Sequence, residues 1–162
     1  MILKTVKSLK ELSDYIKSNA GQQAVFGSKQ IQKSLNDAAK LLKDIMQEEL
    51  QNYYDSYTPT VYERTYGLLN SLRISPLNRI GNQMQIKVYF DIDAATHESI
   101  FGGEPGYAAM LLNEGWSWHD KPGPYRLAHY EGFRFVEKSI ERFVAMNKWG
   151  FRVAKDLPDK YK

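Results

Sequence analysis

The chain has no cysteine, which excludes disulfides, thiolate metal sites and cysteine nucleophiles together. It has no run of about eighteen apolar residues, so no segment reads as a membrane-spanning helix. The opening Met1-Ile-Leu-Lys-Thr-Val-Lys7 lacks the apolar stretch and small-residue cleavage site of a signal peptide, and the cytoplasm is the expected place of synthesis. Glycine and proline are both missing from residues 28–57, which permits one long helix there. Phe101-Gly-Gly-Glu-Pro-Gly106 has glycines but no lysine at phosphate-loop spacing. No nucleophile elbow serves a serine triad, and there is no internal repeat.

What is present suits one domain. The 162 residues are 43% hydrophobic, enough for a real core. The net charge of +3 is too small to imply nucleic acid by itself, but it is unevenly spread. Residues 1–52 carry eight basic and six acidic groups, residues 53–131 six and nine, and residues 132–162 eight and four. An acidic middle and a basic end can meet between copies of the chain, or can be scatter.

Residues 1–27 read as a helix and connector. Ser8 and Glu11 have capping-box spacing, and Leu9, Leu12 and Ile16 recur at helical spacing. From Ser28 a longer helix is expected, with Ile31, Leu35, Ala38, Leu42, Ile45, Met46 and Leu50 on one stripe. Glu48 and Glu49 are expected on its solvated side. Residues 53–72 change the character of the chain: five of the eleven tyrosines lie between Tyr53 and Tyr66, around Pro59. Pro59 pushes Thr58 out of helical geometry. Thr60 and Glu63 make a second capping box, which predicts a short helix to about Asn70 with Tyr62, Tyr66 and Leu69 on one face.

Two strands follow. Leu72 and Ile74 alternate first; then Met84, Ile86, Val88 and Phe90 alternate with Gln85, Lys87 and Tyr89. Gly81-Asn82 suits the turn of a hairpin, and Pro76, which has no N–H, belongs at an edge or bulge. Residues 91–105 read as loop, and residues 107–112 as a short apolar element of open type. The aromatic segment 116–125 holds two prolines around a glycine and reads as a long loop. A last helix is expected over residues 132–148, with Phe133, Val136, Ile140, Phe143 and Val144 on one side. Residues 28–148 thus form the core of an α+β domain spanning 1–162, and residues 149–162 a basic, mobile tail.

The chemistry-bearing residues support no enzyme. His119, Asp120 and His129 are the strongest metal candidate, but their spacing matches no metalloenzyme signature, so no metal, cofactor or catalytic residue is assigned. Asp91 and Asp93 are explained by turn chemistry. A basic stripe with aromatics runs through Arg134, Lys138, Arg142, Lys148, Arg152, Lys155 and Lys160, as in proteins that follow a phosphate backbone. Arg142, Lys148 and Arg152 are the DNA-facing candidates, and Glu137 and Glu141 interrupt them. Trp116, Trp118, Tyr125 and Tyr130 are candidates for an interface, where broad aromatic area with a polar end is favoured.

One set of short motifs points further. Tyr57 and Pro59, then Tyr62, Arg64, Thr65, Leu69 and Ser71, resemble a signature of head–tail joining proteins of long-tailed bacteriophages, the neck or tail-completion proteins of the tail-component family. Tyr107 and Ala108 leading to Gly115, and a closing amphipathic helix, are similar to later parts of that pattern. The likeness spans residues 28–148. This chain has Tyr66 where a glycine often follows the threonine, and a longer aromatic segment at 116–130. The resemblance implies a structural virion protein, assembled in the host cytoplasm. It would be a ring subunit, often hexameric, joining the head connector or stopper to the tail tube or tail terminator, with DNA passing through the axis. The alternatives are a nucleic-acid-binding module using the basic last helix and, behind it, a metal-dependent hydrolase.

Overall fold

The structure, a computed structural model, describes residues 8–18, 20–21, 24, 27–56, 66–81, 83–97, 106–117 and 129–156. Two serines start the first two helices. Ser8 accepts a hydrogen bond from the Glu11 backbone N–H at 3.1 Å and opens α1, Leu9–Lys17. Ser28 accepts from Ile31 N–H at 3.5 Å and opens α2, Lys29–Asp55. Each satisfies one of the donors that a helix start leaves unpaired. The long helix ends where Ser56 turns its N–H to the carbonyls of Asn52 and Tyr53 and its hydroxyl to Tyr53 as well.

Then come α3, Gly67–Asn70, and strand β1, Leu72–Ile74. The hairpin continues with β2, Asn78–Ile80, β3, Gln83–Gln85, and β4, Val88–Phe90. After it lie α4, Ile92–Ala95, β5, Thr96–His97, β6, Gly106–Tyr107, and α5, Ala108–Glu114. The last elements are β7, Trp116–Ser117, β8, His129–Tyr130, and α6, Phe135–Met146. The fold is α+β, and no described helix is long and apolar enough to cross a membrane.

The hairpin is where the expectation was most specific. At its tip Ile80 faces Gln83, and Gly81 has φ 57°. Asn78 faces Gln85 in the tip ladder and Leu72 faces Phe90 in the base ladder. Between the ladders, Ser75, Pro76 and Leu77 stand against only Ile86 and Lys87, so the first arm has one extra residue. That is a bulge, and Pro76 sits in it, where a missing N–H costs no ladder bond. Ser75 closes the gap: its N–H donates to Lys87 O at 2.8 Å, and its hydroxyl oxygen accepts from Lys87 N–H at 2.9 Å. The continuous strand expected from Met84 to Phe90 is therefore broken at Ile86.

The sequence expectation also needs correction elsewhere. The segment 91–105, read as loop, contains α4 and β5. The aromatic segment begins with a short ladder in which Trp116 faces Tyr130. In all, the described residues hold four separate two-stranded antiparallel ladders rather than one sheet. The last helix starts at Phe135, three residues later than expected, because Gly132 and Arg134 both have positive φ.

Two apolar clusters hold these pieces on α2. In the larger, Leu50, Leu72, Phe135 and Ala95 are essentially inaccessible and Met46, Leu68, Phe90, Tyr107 and Leu112 surround them. Phe90 meets Phe135 edge-on with centroids 5.7 Å apart, the arrangement that ring quadrupoles favour. The smaller cluster joins Ala38 and Ile45 of α2 to Phe143 of α6, with Trp149, Phe151 and Val153 packed against it. Residues 149–153 are thus docked chain, not the free basic tail expected. Apolar residues at alternate positions outweigh the intervening charges, and burying them lies behind the order.

Candidate functional site

A groove of about 730 Å³ opens between the hairpin, α5, α6 and the segment after α6. Leu42 and Met46 of α2, Val88 of β4, Met110 of α5, and Val136 and Ile140 of α6 give it apolar walls, while Asn113, Glu114, Lys155 and Asp156 make one end polar. The mixture is that of an interaction groove with a few orienting polar groups.

Asn113 organises the polar end. It is 2% exposed, and such a buried amide must find partners. Its Oδ1 accepts from Val136 N–H at 2.8 Å, which caps α6 from another element. Arg134, at the capping position of α6, is left-handed and makes no side-chain cap bond. The Asn113 Nδ2 donates to Glu114 at 2.9 Å and to Glu137 at 2.8 Å. The backbone adds Phe133 N–H to Leu112 O at 2.8 Å and Arg134 N–H to Asn113 O at 3.2 Å.

Two carboxylates so close require a cation, and Lys155 supplies it. Its Nζ bonds Glu137 at 2.6 Å and also Glu114, while Arg134 approaches Glu114 at 3.5 Å from the side. The Lys155 and Asn113 hydrogen bonds hold the Glu114 carboxyl below the ordinary range. Burial pushes Glu137 upward, but its bonds to Lys155 and Asn113 outweigh that and leave it lowered. Burial likewise works against the Lys155 ammonium, and the two carboxylates overcome it, so its pKa is raised.

A second ionic site lies on the α2–α6 contact. Arg142 donates to Glu49 and to Glu48, each at 2.6 Å. Glu49 is 8% exposed, not on the solvated face expected for it. Arg142 is therefore committed to carboxylates rather than turned outward for phosphate. Lys148 lies 5.1 Å from the Trp149 ring, and Arg152 is exposed.

The other sequence candidates separate clearly. Ser71 is fully buried: its hydroxyl donates to Leu68 O at 2.7 Å, and its carbonyl accepts from Asp91 N–H at 2.9 Å, joining α3 to the hairpin base. Leu69, Ala108 and Tyr130 pack against the main cluster, to which Tyr107 belongs. Gly115 ends α5 at φ 87°. Tyr66 is left-handed at φ 53°, the conformation glycine adopts without steric cost; of the helix expected through residues 60–70, residues 60–65 lie outside the described residues and Gly67–Asn70 is helical. Tyr57, Pro59, Tyr62, Arg64, Thr65, Trp118, His119, Asp120 and Tyr125 lie outside the described residues.

Sequence reasoning named Lys155 only within a basic stripe and Glu137 only as an interruption of it, and did not join either to Asn113 and Glu114. Asn113 has a faint signal, a lone amide after Leu111 and Leu112 in an apolar stretch. Lys155 has a fainter one, following Phe151 and Val153 at alternate spacing.

A family model described as YomN matches residues 8–157, nearly the whole chain. The chain belongs to the YomN family. The family's name is phage-derived, of SPBeta-like prophage, and this is accordingly a phage-associated protein. The match takes in α1, the groove and the Lys155 site alike. No curated protein and no solved structure matches the chain.

Proposed function

We propose that the protein is a non-enzymatic structural component of a tailed-phage virion, a neck or tail-completion subunit at the head–tail interface that works by self-association. Its partners are further copies of itself in a ring, the head connector or stopper, and the tail tube or tail terminator. DNA passes through the ring without sequence recognition, and assembly takes place in the host cytoplasm.

The phage-derived family supports the general setting, and the motif resemblance from Leu69 and Ser71 to Gly115 supports the particular one. The observation that carries self-association is α1. Leu9, Leu12 and Ile16 are 86%, 40% and 45% exposed, and α1 has no buried residue. An apolar helical stripe of this kind is stable in solution only when something covers it. Ile80 and Tyr89 add exposed apolar surface beside the groove, and a single copy leaves all of it open. A head-to-tail contact between two such different surfaces generates closed rings when its rotation closes.

Sedimentation of the purified protein over a concentration series is the first test, with Leu12→Glu as comparison. The expected result is a defined oligomer that Leu12→Glu dissociates without loss of helix. Mass spectrometry of purified particles is the second. A protein that stays monomeric at all concentrations and is missing from virions and tail-assembly intermediates would overturn the reading.

A further inference from the structure

We infer that the groove is the seat of α1 from a second copy, held there by Leu9, Leu12 and Ile16. The inference rests on the self-association proposed above and names the two surfaces that make it. Among the described residues nine large apolar side chains are exposed, and six of them fall in these two places. Leu9, Leu12 and Ile16 lie on α1, while Ile80, Tyr89 and Ile92 line the groove on its hairpin side. Met110, Val136 and Ile140 on its helical side are only half-buried, so the groove stands open. In its own copy α1 is elsewhere: none of its residues lines the groove and none is buried.

Shape and charge both select this guest. Leu9, Leu12 and Ile16 are spaced i, i+3 and i+7, the anchors that a helix lays into an apolar groove. They span about 10 Å along α1 at ~1.5 Å per residue. The hairpin side of the groove, from Gln85 to Phe90, runs about 16 Å at ~3.3 Å per residue, so all three anchors fit within it. Met46 and Met110 line the walls, and unbranched thioether side chains mould to an incoming surface. With about 100° between successive residues, Ser13, Lys10 and Lys17 fall on one flank of the stripe and Glu11 on the other. The groove has the matching asymmetry. Its hairpin side carries Lys87, and the side built by α5 and the segment after α6 carries Glu114 and Asp156, with Lys155 held between Glu114 and Glu137. One direction of α1 along the groove sets Glu11 by Lys87 and the two lysines by the carboxylates. The reverse direction sets like charges together, which complementary interfaces avoid.

The absence of cysteine provides the test, in the full-length chain. Two single-cysteine variants are mixed and mildly oxidised: Ser13→Cys on the lysine flank of α1, and Ala154→Cys on the groove wall which that flank faces. Their mixed disulfide necessarily joins two copies. It should form at least about tenfold faster than with Asp14→Cys, one position on and turned to the back of α1, or with Val144→Cys on the exposed side of α6 in place of Ala154→Cys. Adding Leu12→Glu to Ser13→Cys should slow it about tenfold or more, the effect of losing one buried leucine. Met110→Cys is the second groove position should Ala154→Cys fail to fold. Equal rates from positions 13 and 14, or a rate indifferent to Leu12→Glu, overturn the seat. So does a disulfide that forms only when both cysteines are on one chain, because the guest is then the chain's own α1. An oligomer in sedimentation without the mixed disulfide keeps self-association and removes the groove as its seat. The mixed disulfide in a protein missing from virions keeps the seat and removes the virion role.

Discussion

Gly115 and Gly132 lie back to back. A Cβ on Gly115 would come 2.8 Å from the Gly132 nitrogen, and one on Gly132 would come 2.6 Å from the Gly115 nitrogen. Their φ angles of 87° and 83° disfavour any other residue on conformational grounds as well. Close approach of the two backbones brings the end of α5 against the start of α6, and so brings Asn113 within reach of Val136. Gly115→Ala or Gly132→Ala should each cost about 2–4 kcal/mol, combining left-handed strain with a clash against backbone that cannot yield. Urea melting measures this. The double variant should cost less than the sum, since both changes force the same separation.

Asn113→Ala removes the cap of α6 and both donors to Glu114 and Glu137. A loss of about 2–3 kcal/mol is expected, a missing cap plus a buried N–H left without its acceptor. Asn113→Asp keeps the acceptor for Val136 but places a third carboxylate beside two. It should be worse than Asn113→Ala at pH 7 and recover as the pH is lowered, which thermal melts at several pH values will show.

The Lys155 site gives the molecule a pH dependence of known sign. Glu114 and Glu137 are lowered from the ordinary 4.5, so they bind protons less readily when folded. Their contribution is present above about pH 4.5 and is lost as the pH falls through the lower folded values. Lys155 is raised from 10.5, so its contribution is complete below that pH and is lost as the pH rises through its higher folded value. In Lys155→Ala the decline in stability below pH 4.5 should be shallower than in the parent protein. An unchanged acid limb would mean that Lys155 does not set these carboxylates.

Tyr66 holds strain and contact in opposition. Left-handed backbone costs a non-glycine residue about 1–2 kcal/mol, while its ring meets Tyr54 edge-on at 5.2 Å, worth about 0.5–1.5 kcal/mol. Tyr66→Gly should therefore change the melting temperature little. Tyr66→Ala keeps the strain and loses the ring, and should lower stability by about 1 kcal/mol. If the two variants melt together, the left-handed angle does not govern this position.

Glu49 and Glu48 share one arginine in unequal surroundings. Glu48 is 62% exposed at its side chain and Glu49 only 11%. Salt should therefore erase the effect of Glu48→Gln but not that of Glu49→Gln, since screening reaches the exposed arm alone. Melting temperatures of both variants at low and high salt make the comparison, and Glu49→Gln should be the lower of the two throughout.

Local features were legible wherever a residue acts on its own neighbours. Ser8 and Ser28 begin helices because a serine oxygen reaches the third N–H along the chain. The absence of glycine and proline lets α2 run to Asp55. Gly81 stands at the turn of the hairpin, and Pro76 marks its bulge. All of these forces operate within a few residues, and the α+β class follows from them.

Tertiary structure decided the rest, because it concerns residues far apart. Arg142 looked outward in the sequence, and only the packing of α6 on α2 brings it to Glu49, 93 positions away. Lys155 belonged to a basic tail until Phe151 and Val153, packed against the smaller cluster, carried it to Glu137 and Glu114. A charge's partner is set by where the apolar clusters place its backbone, and no spacing rule encodes that. The chain alone therefore determined α1, α2, the hairpin and the last helix, and it carries the motifs that resemble those of phage head–tail joining proteins. The tertiary structure determined that Arg142 and Lys155 serve ion pairs, and that a groove stands beside Lys155.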